Sequence, residues 1–386
     1  MASGPQIDKR VVIIGAGFGG ISLAKQLDPY VHVTLIEKQE RFFHNIASLR
    51  AAVDPSWLAK IFIPYDRLLR NGRVIHDTVI EVSPKAVILA RGKTLSFDYL
   101  VLATGSSYPF PAKTAYDDVS RSMKDMRQVG KRIRQAKSIL LIGGGPVGIE
   151  FAGEIASAYP GKRVTLMNGA PDLMVQYNPR LGQRLVAELT CLGVQLVLGE
   201  NLPQMPAQTN AVGPNGPRAM QTFVTDKGTK INADLYFTCF GAKPNSDYLA
   251  QSLAKCRDER GRVKVNTYLQ VKGCKNIFAI GDLTDINEAK MAFTAGSHAD
   301  SVSANIRRLA GSNNKGALKE YVPHPSNIMI VPVGPSGGAG QLPLLGGIVV
   351  GRFLTRMLKG RSLMVERYWK TLNATYPISN DHGVTK

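Results

Sequence analysis

Val11-Val12-Ile13-Ile14-Gly15-Ala16-Gly17-Phe18-Gly19-Gly20 decides the fold of this 386-residue chain. Its apolar half is typical of a buried parallel strand, and a helical pattern begins within its glycines. In such a turn the first glycine permits the tight bend, the second lets a pyrophosphate approach the backbone, and the third lets helix and strand pack closely. The helix N-terminus adds free N–H groups and the positive end of its dipole. The stretch therefore predicts a dinucleotide-binding turn.

A second stretch repeats this plan. Ile139-Leu140-Leu141-Ile142-Gly143-Gly144-Gly145-Pro146-Val147-Gly148 again joins an apolar strand pattern to a glycine turn and a helix. A single turn of this type is a weak signal, but two in the same context indicate a duplicated nucleotide-binding unit rather than a solenoid. The chain is therefore predicted to hold two dinucleotides.

The residue that ends the second strand of each unit bears on nucleotide choice. In the first unit it is Glu37, about 20 residues beyond the glycines, where an acid is expected to accept from a ribose hydroxyl. In the second unit it is Asn168, which does not repel a 2′-phosphate and can hydrogen-bond either nucleotide. NADH or NADPH is therefore expected there, and the positive net charge favours NADPH.

Composition limits the class of protein. An apolar fraction of 44% is ordinary for a globular chain, and 386 residues suit two or three domains. No apolar run reaches the roughly 18 residues of a membrane span. The four cysteines show no paired spacing, so no metal site is predicted and a reducing, intracellular compartment fits best. Residues 1–6 are expected to be a short tail, and residues 202–218 a mobile surface loop.

The charge of the chain is strongly positive, with a formal net charge of +19 at pH 7. It is also uneven, because residues 302–386 contain eleven Lys and Arg against three Asp and Glu. Such an excess attracts nucleic acid, anionic membrane surfaces or phosphate-bearing cofactors. No stacking module or base-reading helix is evident, so only weak, non-specific, salt-sensitive DNA binding is expected.

Four further motifs complete a pattern, namely Ala103-Thr104-Gly105, Glu150, Gly241 with Pro244-Asn245, and Gly281-Asp282. In this order, together with the two glycine turns, they resemble the two-dinucleotide flavoprotein reductases of the pyridine nucleotide–disulfide oxidoreductase superfamily. The resemblance implies that the first turn holds the FAD pyrophosphate and that Asp282 binds the ribitol. It also implies that the second turn holds NAD(P)H, with Glu150 near the nicotinamide ribose.

The resemblance further implies the architecture. This is an α/β fold with two Rossmann-like dinucleotide-binding domains, of the glutathione-reductase type, and a small C-terminal α+β region. The FAD-binding domain is predicted to comprise residues 1–118 and 246–312. The NAD(P)H-binding domain would comprise residues 119–245, and the C-terminal region residues 313–386.

One stretch departs from the disulfide reductases. They carry a redox cysteine pair shortly after the Glu37 position, but Phe42-Phe43-His44-Asn45-Ile46-Ala47-Ser48-Leu49-Arg50 contains no cysteine. Thiol–disulfide exchange requires a thiolate nucleophile, so disulfide reduction through this site is excluded. Electrons must then leave the reduced flavin directly for a diffusible acceptor.

The same stretch, with residues 290–299 and 368–371, is similar to the apoptosis-inducing-factor-like, mitochondrion-associated branch. That branch includes the ferroptosis suppressor quinone reductases. The resemblance implies that Arg50 and Val79 join in binding FAD. Lys359 matches a lysine near the active site of the quinone reductases, where it would stabilise flavin or quinone anions.

A helix is predicted to begin at Met291 and Ala292, so that its N–H groups and dipole face the flavin and stabilise its reduced, anionic form. His44 and His298 are expected to be structural or cofactor-packing histidines. The predicted catalytic residues are Glu150 and Lys359. The predicted cofactor-binding residues are Gly15, Ala16, Gly17, Phe18, Gly19, Gly20, Glu37, Arg50, Val79, Ala103, Thr104, Gly105, Gly143, Gly145, Gly148, Asn168, Gly241, Asp282, Met291 and Ala292.

The C-terminal region is predicted to contain a basic amphipathic helix over residues 348–359. Its apolar face would consist of Phe353, Leu354, Met357 and Leu358, and its basic face of Arg352, Arg356 and Lys359. Two interpretations stay open. The helix either lies in a membrane interface, where the enzyme could draw a lipid quinone from the bilayer, or is docked on the core of its own chain.

These observations predict an FAD-dependent NAD(P)H:quinone oxidoreductase. A hydride would pass from NAD(P)H to FAD, and two electrons would then reduce a ubiquinone-like quinone, or another small-molecule acceptor, without redox-active cysteines. The alternatives are a type II NADH dehydrogenase, an NADH oxidase and, outside the enzymes, a basic DNA-binding cell-death effector. The chain is expected to be a monomer or weak homodimer on the cytoplasmic side, peripheral on mitochondrial or lipid-droplet membranes.

Overall fold

A computed structural model describes residues 7–206, 220–311, 317–324, 328–343 and 347–377. The predicted tail at residues 1–6, and residues 207–218 of the predicted loop, lie outside the described residues.

The elements follow one another in three stretches. The first contains β1 (Ile7–Ile14), α1 (Phe18–Leu27), β2 (Val31–Glu37), β3 (Arg41–Phe43), α2 (Ser48–Val53), α3 (Leu58–Ile61), β4 (Phe62–Pro64), β5 (Arg73–His76), β6 (Val79–Val82), β7 (Ala86–Leu89), β8 (Thr94–Ser96), β9 (Tyr99–Leu102) and β10 (Ser106–Ser107). The second contains α4 (Val119–Gln135), β11 (Ser138–Ile142), α5 (Pro146–Ala158), β12 (Arg163–Asn168), α6 (Pro179–Cys191), β13 (Gln195–Leu198), β14 (Gln221–Val224), β15 (Lys230–Ala233), β16 (Leu235–Thr238) and β17 (Lys243–Pro244). The third contains β18 (Ile277–Ala279), α7 (Ala292–Ala310), β19 (Met329–Val333), β20 (Gly337–Leu342), β21 (Ile348–Val350), α8 (Arg352–Thr355), a π-helical turn (Arg356–Gly360) and α9 (Val365–Thr371).

Two parallel sheets organise the chain. The first has the strand order β18-β9-β1-β2-β5, and the second has the order β13-β12-β11-β16. In each, the strand before the glycine turn lies between two parallel neighbours. Such inner strands are buried on both faces, which explains their uninterrupted apolar sequences. The predicted α/β fold with two dinucleotide-binding units is confirmed, while the exact domain boundaries stay predictions.

The first sheet is completed by a late part of the chain. β18 pairs in parallel with β9, so the chain returns to the first unit after building the second. Two short strands between the units, β10 and β17, pair antiparallel. The two units are therefore joined at the ends of strands that lead into predicted cofactor motifs.

The third glycine of each turn allows helix and strand to cross closely. A Cβ added at Gly20 would lie 1.9 Å from the Gly15 carbonyl oxygen, and one added at Gly148 would lie 1.9 Å from the Gly143 carbonyl oxygen. No side chain fits at such distances, because the obstructing atom belongs to the backbone. At the second glycines, Gly17 and Gly145, an added Cβ would meet nothing within 4 Å.

The C-terminal region contacts both units. Its antiparallel sheet, β19-β20-β21, packs on α5, where a Cβ added at Gly153 would lie 2.6 Å from the Gly334 nitrogen. Its last helix, α9, lies on the first unit, where Trp369 Nε1 donates to the carbonyl oxygen of Lys60 at 2.8 Å. This region is the predicted α+β addition, and it holds the two units together.

The predicted helix over residues 348–359 is wrong at its start. Ile348–Val350 forms β21 and pairs with β20, and the helix begins only at Arg352. The β-branched run Ile348-Val349-Val350 favours a strand once a partner edge is available. The partner edge is strand β20, whose residues lie outside the stretch from which the helix was predicted.

The close crossings give a first prediction. Gly20→Ala should lower the free energy of unfolding by about 3 kcal/mol or more, because the new methyl group overlaps a backbone oxygen that cannot move without breaking the turn. Urea denaturation followed by circular dichroism measures the change. Gly17→Ala, in the same turn but facing open space, is the matched control and should cost less than about 1 kcal/mol. Equal losses in the two variants would contradict the crossing as the reason for Gly20.

Candidate active site

The first glycine turn is held in place by the acid at the end of β2. Glu37 Oε2 accepts from the Ala16 N–H at 2.5 Å, and Oε1 accepts from the Gln39 N–H at 2.9 Å. Burial raises the pKa of Glu37, while these N–H groups and the nearby Lys38 oppose the rise. The Tyr65 hydroxyl donates to the Ala16 carbonyl at 3.2 Å. Glu37 therefore supports the turn directly, and its role toward a ribose stays a prediction.

The second glycine turn is held in the same way by a neutral side chain. Asn168, at the end of β12, accepts from the Gly144 N–H through Oδ1 at 3.1 Å. Its Nδ2 donates to the carbonyl oxygens of Ala170 at 3.3 Å and Asp172 at 3.1 Å. Asn168 thus occupies the place that Glu37 has in the first unit.

Both turns fit the phosphates of a dinucleotide. Helices α1 and α5 begin immediately after Gly17 and Gly145, and neither has an acidic residue in its first turn to repel an anion. Open space at these two glycines lets a ligand approach the backbone. Free N–H groups and the positive dipole end are then presented to phosphate oxygens.

Two of the predicted cofactor motifs are joined to each other. Thr104 Oγ1 donates to the Asn245 carbonyl at 2.6 Å, and Asn245 Nδ2 donates to the Thr104 carbonyl at 2.9 Å. Gly105 and Gly241 have positive φ angles of 61° and 95°, which favour glycine. The turn after β9 and the residues that flank β17 therefore form one structure at the boundary of the two units.

Asp282 lies beside this junction, in a 3₁₀ turn that follows β18. Its Oδ2 accepts from Ser106 Oγ at 2.6 Å and lies 3.4 Å from Lys113 Nζ. The Asp282 and Lys113 side chains are each one quarter exposed, so a hydroxyl of a ligand could reach the carboxylate. Lys113 was not predicted from sequence, since no motif singles it out.

A buried histidine supports the Asp282 turn from behind. His298 Nδ1 accepts from the Gly281 N–H at 3.0 Å, and its Nε2 donates to Glu288 Oε1 at 2.6 Å. The Tyr321 hydroxyl donates to Glu288 Oε2 at 2.7 Å. Both ring nitrogens of His298 are engaged, which agrees with its predicted structural role.

The helix predicted to begin at Met291 and Ala292 does so. Ala292 is the first residue of α7, and the Met291 N–H donates to Thr294 Oγ1 at 3.1 Å. No acidic residue occupies the first turn of α7. Whether its N–H groups face a flavin stays a prediction.

The two predicted catalytic residues are in contact. Lys359 Nζ lies 2.7 Å from Glu150 Oε1, with the side chains 16% and 12% exposed. Lys359 also donates to the Ile330 carbonyl at 3.3 Å. Burial raises the pKa of Glu150, and the ammonium group of Lys359 opposes that rise. The structure thus forms a nearly buried ion pair one turn into the helix that follows the second glycine turn.

A second buried pair lies one turn further along α5. Arg50 contacts Glu154 through Nη2 at 2.7 Å and Nε at 3.0 Å, a two-pronged geometry in which both side chains are almost fully buried. Arg50 Nη1 also donates to the Arg361 carbonyl at 3.2 Å. This pair joins the first unit, the second unit and the C-terminal region.

The FAD-binding roles of Arg50 and Val79 stay predictions. The guanidinium of Arg50 is occupied by Glu154 here, and Val79 is a buried residue of β6 that pairs with Leu89 of β7. Glu154 was not predicted, although one signal was available. It lies four residues after Glu150 in an otherwise apolar helix, so the two acids share a face.

His44 lies next to this charge cluster. Its Nε2 donates to the Leu363 carbonyl at 2.7 Å, and it packs against the rings of Phe18 and Tyr368. Burial lowers its pKa to about 4, and the positive charge of Lys359 adds to the effect. His44 is therefore neutral at pH 7 and cannot donate a proton there as an imidazolium, which fits its predicted structural role.

The helical segment at residues 352–360 carries its apolar side chains outward. The exposed fractions are 74% for Phe353, 37% for Leu354, 62% for Met357 and 42% for Leu358. Lys359, predicted on the face opposite these apolar side chains, does lie opposite them and points inward to Glu150. The reason is the buried carboxylate, which only an inward lysine can neutralise. The apolar face is not docked on the core of the chain.

None of the described helices combines the length and the apolar composition needed to cross a bilayer. Within the same described ranges, no three His, Cys, Asp or Glu side chains gather as ligands for a metal ion.

Comparisons with known proteins bear on the family and the fold of the chain. The family model for pyridine nucleotide-disulphide oxidoreductases matches residues 9–299. Apoptosis-inducing factor homolog B of Dictyostelium discoideum is 37% identical, covering 96% of this chain and 98% of its own. Ferroptosis suppressor protein 1 of Mus musculus is 36% identical, covering 95% and 96%. The crystal structure of the sulfide:quinone oxidoreductase from Aquifex aeolicus shares the fold with a TM-score of 0.73, at 19% identity and covering 96% and 93%.

The Glu150–Lys359 pair gives a second prediction. Lys359→Met removes the charge that opposes the effect of burial, so the pKa of Glu150 should rise further above its unfolded value. A raised folded pKa gives stability that is complete below the unfolded pKa and is lost as pH rises through the folded pKa. The loss of unfolding free energy in Lys359→Met should therefore grow between about pH 5 and pH 8, to about 3–5 kcal/mol.

Urea denaturation at a series of pH values measures this loss. The control is the double variant Glu150→Gln/Lys359→Met, which removes both charges of this pair and should lose the extra pH dependence. If the free energy of unfolding changed with pH in the same way in wild type and in Lys359→Met, the pKa of Glu150 would not depend on Lys359.

Proposed function

The chain belongs to the pyridine nucleotide-disulphide oxidoreductase family and is an FAD-dependent oxidoreductase that uses a pyridine nucleotide; we propose that a quinone is its electron acceptor. One observation carries the proposal. The segment at residues 352–360 connects an exposed apolar surface to a lysine held on Glu150, beside the second nucleotide turn. An apolar acceptor bound at this segment would thus lie close to the nucleotide held by the second turn.

The residues of the chain supply binding and charge. FAD, when bound, takes two electrons from the nicotinamide and passes them to the acceptor. The first turn would hold its phosphates through open backbone at Gly17, and Asp282 would accept from its ribitol. Glu150 and Lys359 keep a neutral pair at the second turn, and the lysine end of that pair can stabilise negative charge that develops nearby.

The positions of the cysteines support direct electron transfer from the flavin to the acceptor. None lies in residues 42–50, where the disulfide reductases have their redox pair. Cys239 is buried, and burial raises its pKa to about 12, so it is not a nucleophile at neutral pH. Cys191 is exposed at the end of α6, and Cys256 and Cys274, which follow the second sheet along the chain, are half-buried. We therefore propose that no thiol takes part in electron transfer.

The apolar surface favours an acceptor that is dissolved in lipid. Phe353 and Met357 project into solvent from a segment in which Lys359 is turned inward and Gly360 is buried. Exposed aromatic and methionine side chains beside arginines are typical of helices that lie in a bilayer surface. We propose peripheral contact with a membrane, mitochondrial or of lipid droplets, from which the quinone is taken.

The choice between NADH and NADPH stays open in this proposal. Asn168 uses its side chain on the second glycine turn and on the carbonyls of Ala170 and Asp172. It therefore offers neither a carboxylate to a 2′-hydroxyl nor a positive charge to a 2′-phosphate.

Stopped-flow spectroscopy tests the proposed function. NADH or NADPH should bleach the flavin absorption band of the anaerobic protein, and a short-tailed quinone should restore it faster than air does. The variant C191A/C239A/C256A/C274A should keep quinone turnover within about twofold, because no thiol is on the path. Reoxidation by air as fast as by quinone would favour an NADH oxidase, and loss of turnover in the folded variant would contradict the thiol-free path.

The apolar face gives a further prediction. Phe353→Ser/Met357→Ser should reduce turnover with a long-tailed quinone embedded in vesicles by about tenfold or more, because each side chain loses its apolar burial in lipid. Turnover with a soluble short-tailed quinone should not change. The matched control is Ile80→Ser/Val322→Ser, which removes exposed apolar residues from other elements. Equal effects in both doubles would show that this face has no special role.

A further inference from the structure

A cleft of about 280 Å³ opens beside the exposed helical segment, in a part of the fold that the proposed reaction does not use. It lies between α6 and β21, and its lining residues are Asn178, Arg180, Arg184, Gly347, Ile348 and Val349. Its volume is close to the lower end of the range for small-molecule sites, about 300–1,000 Å³. None of these described lining residues is acidic.

The two arginines of the cleft carry uncompensated charge. Arg180 and Arg184 are four residues apart on α6, so they project from one face of the helix. Among the described residues, neither guanidinium has a hydrogen-bond or acidic partner. One turn further on, Glu188 is already paired with Arg352 at 3.0 Å, so it is not available to them.

The cleft and the apolar face form one continuous surface. Arg184 lies so close to Gly351 that a Cβ added there would be 2.6 Å from Nη1. Gly351 directly precedes the helix that presents Phe353 and Met357. Ile348, which lines the cleft, is itself 40% exposed and lies three residues before Gly351.

We propose that this cleft binds the phosphate of an anionic phospholipid headgroup while Phe353 and Met357 enter the same leaflet. Guanidinium groups match phosphate oxygens in geometry and charge. Apolar side chains directly beside them favour a lipid over a soluble anion or an acidic protein, since only a lipid offers a phosphate and acyl chains together. The proposal rests on the membrane contact of the proposed function and adds to it the lipid class that is recognised.

Vesicle co-sedimentation tests the proposal on the full-length protein loaded with FAD. Binding to phosphatidylcholine vesicles is compared with binding to vesicles that also contain phosphatidylserine. Arg180→Gln/Arg184→Gln should weaken binding to the phosphatidylserine vesicles by about 30-fold, since each basic residue near an anionic surface is worth about fivefold. Binding to phosphatidylcholine alone should change little, and the difference should shrink as salt is raised.

The matched control is Arg91→Gln/Arg127→Gln, which removes the same charge from exposed positions on other elements. It should weaken binding several-fold less than the cleft variant. Equal losses in the two doubles would mean that the whole basic surface attracts the vesicle, and would overturn a specific cleft. The same conclusion follows if phosphatidylserine does not strengthen wild-type binding.

Two further arms distinguish other ligands. If millimolar inorganic phosphate displaces wild type from the vesicles as a binding competitor at constant ionic strength, the cleft is a site for free anions and the proposal fails. If the cleft variant loses binding to polyglutamate but not to phosphatidylserine vesicles, the partner is an acidic protein and the proposal also fails. Short-tailed quinone turnover without vesicles should be unchanged in both doubles. Absence of that turnover in wild type would reject the quinone proposal while the vesicle result stands on its own.

Discussion

Both nucleotide-binding units depend on one close contact within the glycine turn. In the first unit it joins the carbonyl oxygen of Gly15 to the backbone of Gly20, and in the second it joins Gly143 to Gly148. It brings the first turn of a helix onto the end of a buried strand, at a distance that excludes any side chain. Because the helix begins there, its free N–H groups point out of the sheet edge. The neighbouring strands then supply Glu37 and Asn168, which fasten each turn through one backbone N–H.

The two units are held in one arrangement by charges that are buried together. Two buried ion pairs bring the first unit and the C-terminal region onto a single face of α5. They are Arg50 with Glu154 and Lys359 with Glu150. Buried pairs of this kind contribute little net stability, because desolvation offsets attraction, but separating them leaves a charge without a partner. Their effect is therefore to specify how the parts fit, and to set the charge beside the second nucleotide turn.

The C-terminal region shows a local pattern that separates two faces correctly but does not say which of them the fold buries. The periodicity of residues 348–359 separates apolar from basic side chains, which a surface helix would bury and expose respectively. The structure does the reverse at Lys359, because Glu150 provides a buried partner, and it leaves Phe353 and Met357 in solvent. The exposed phenylalanine and methionine are the surface on which the proposed membrane contact rests.

The sequence alone determined both glycine turns, the start of α7 and the lack of a thiol at residues 42–50. These features depend on neighbours a few residues apart, and steric limits at glycine leave few alternatives. Tertiary structure decided the rest. Arg50 and Glu154 are 104 residues apart and Glu150 and Lys359 are 209 apart, so no local pattern connects them. It also converted Ile348–Val350 into a strand and exposed the apolar face, since pairing and burial are properties of surfaces that only the folded chain brings together.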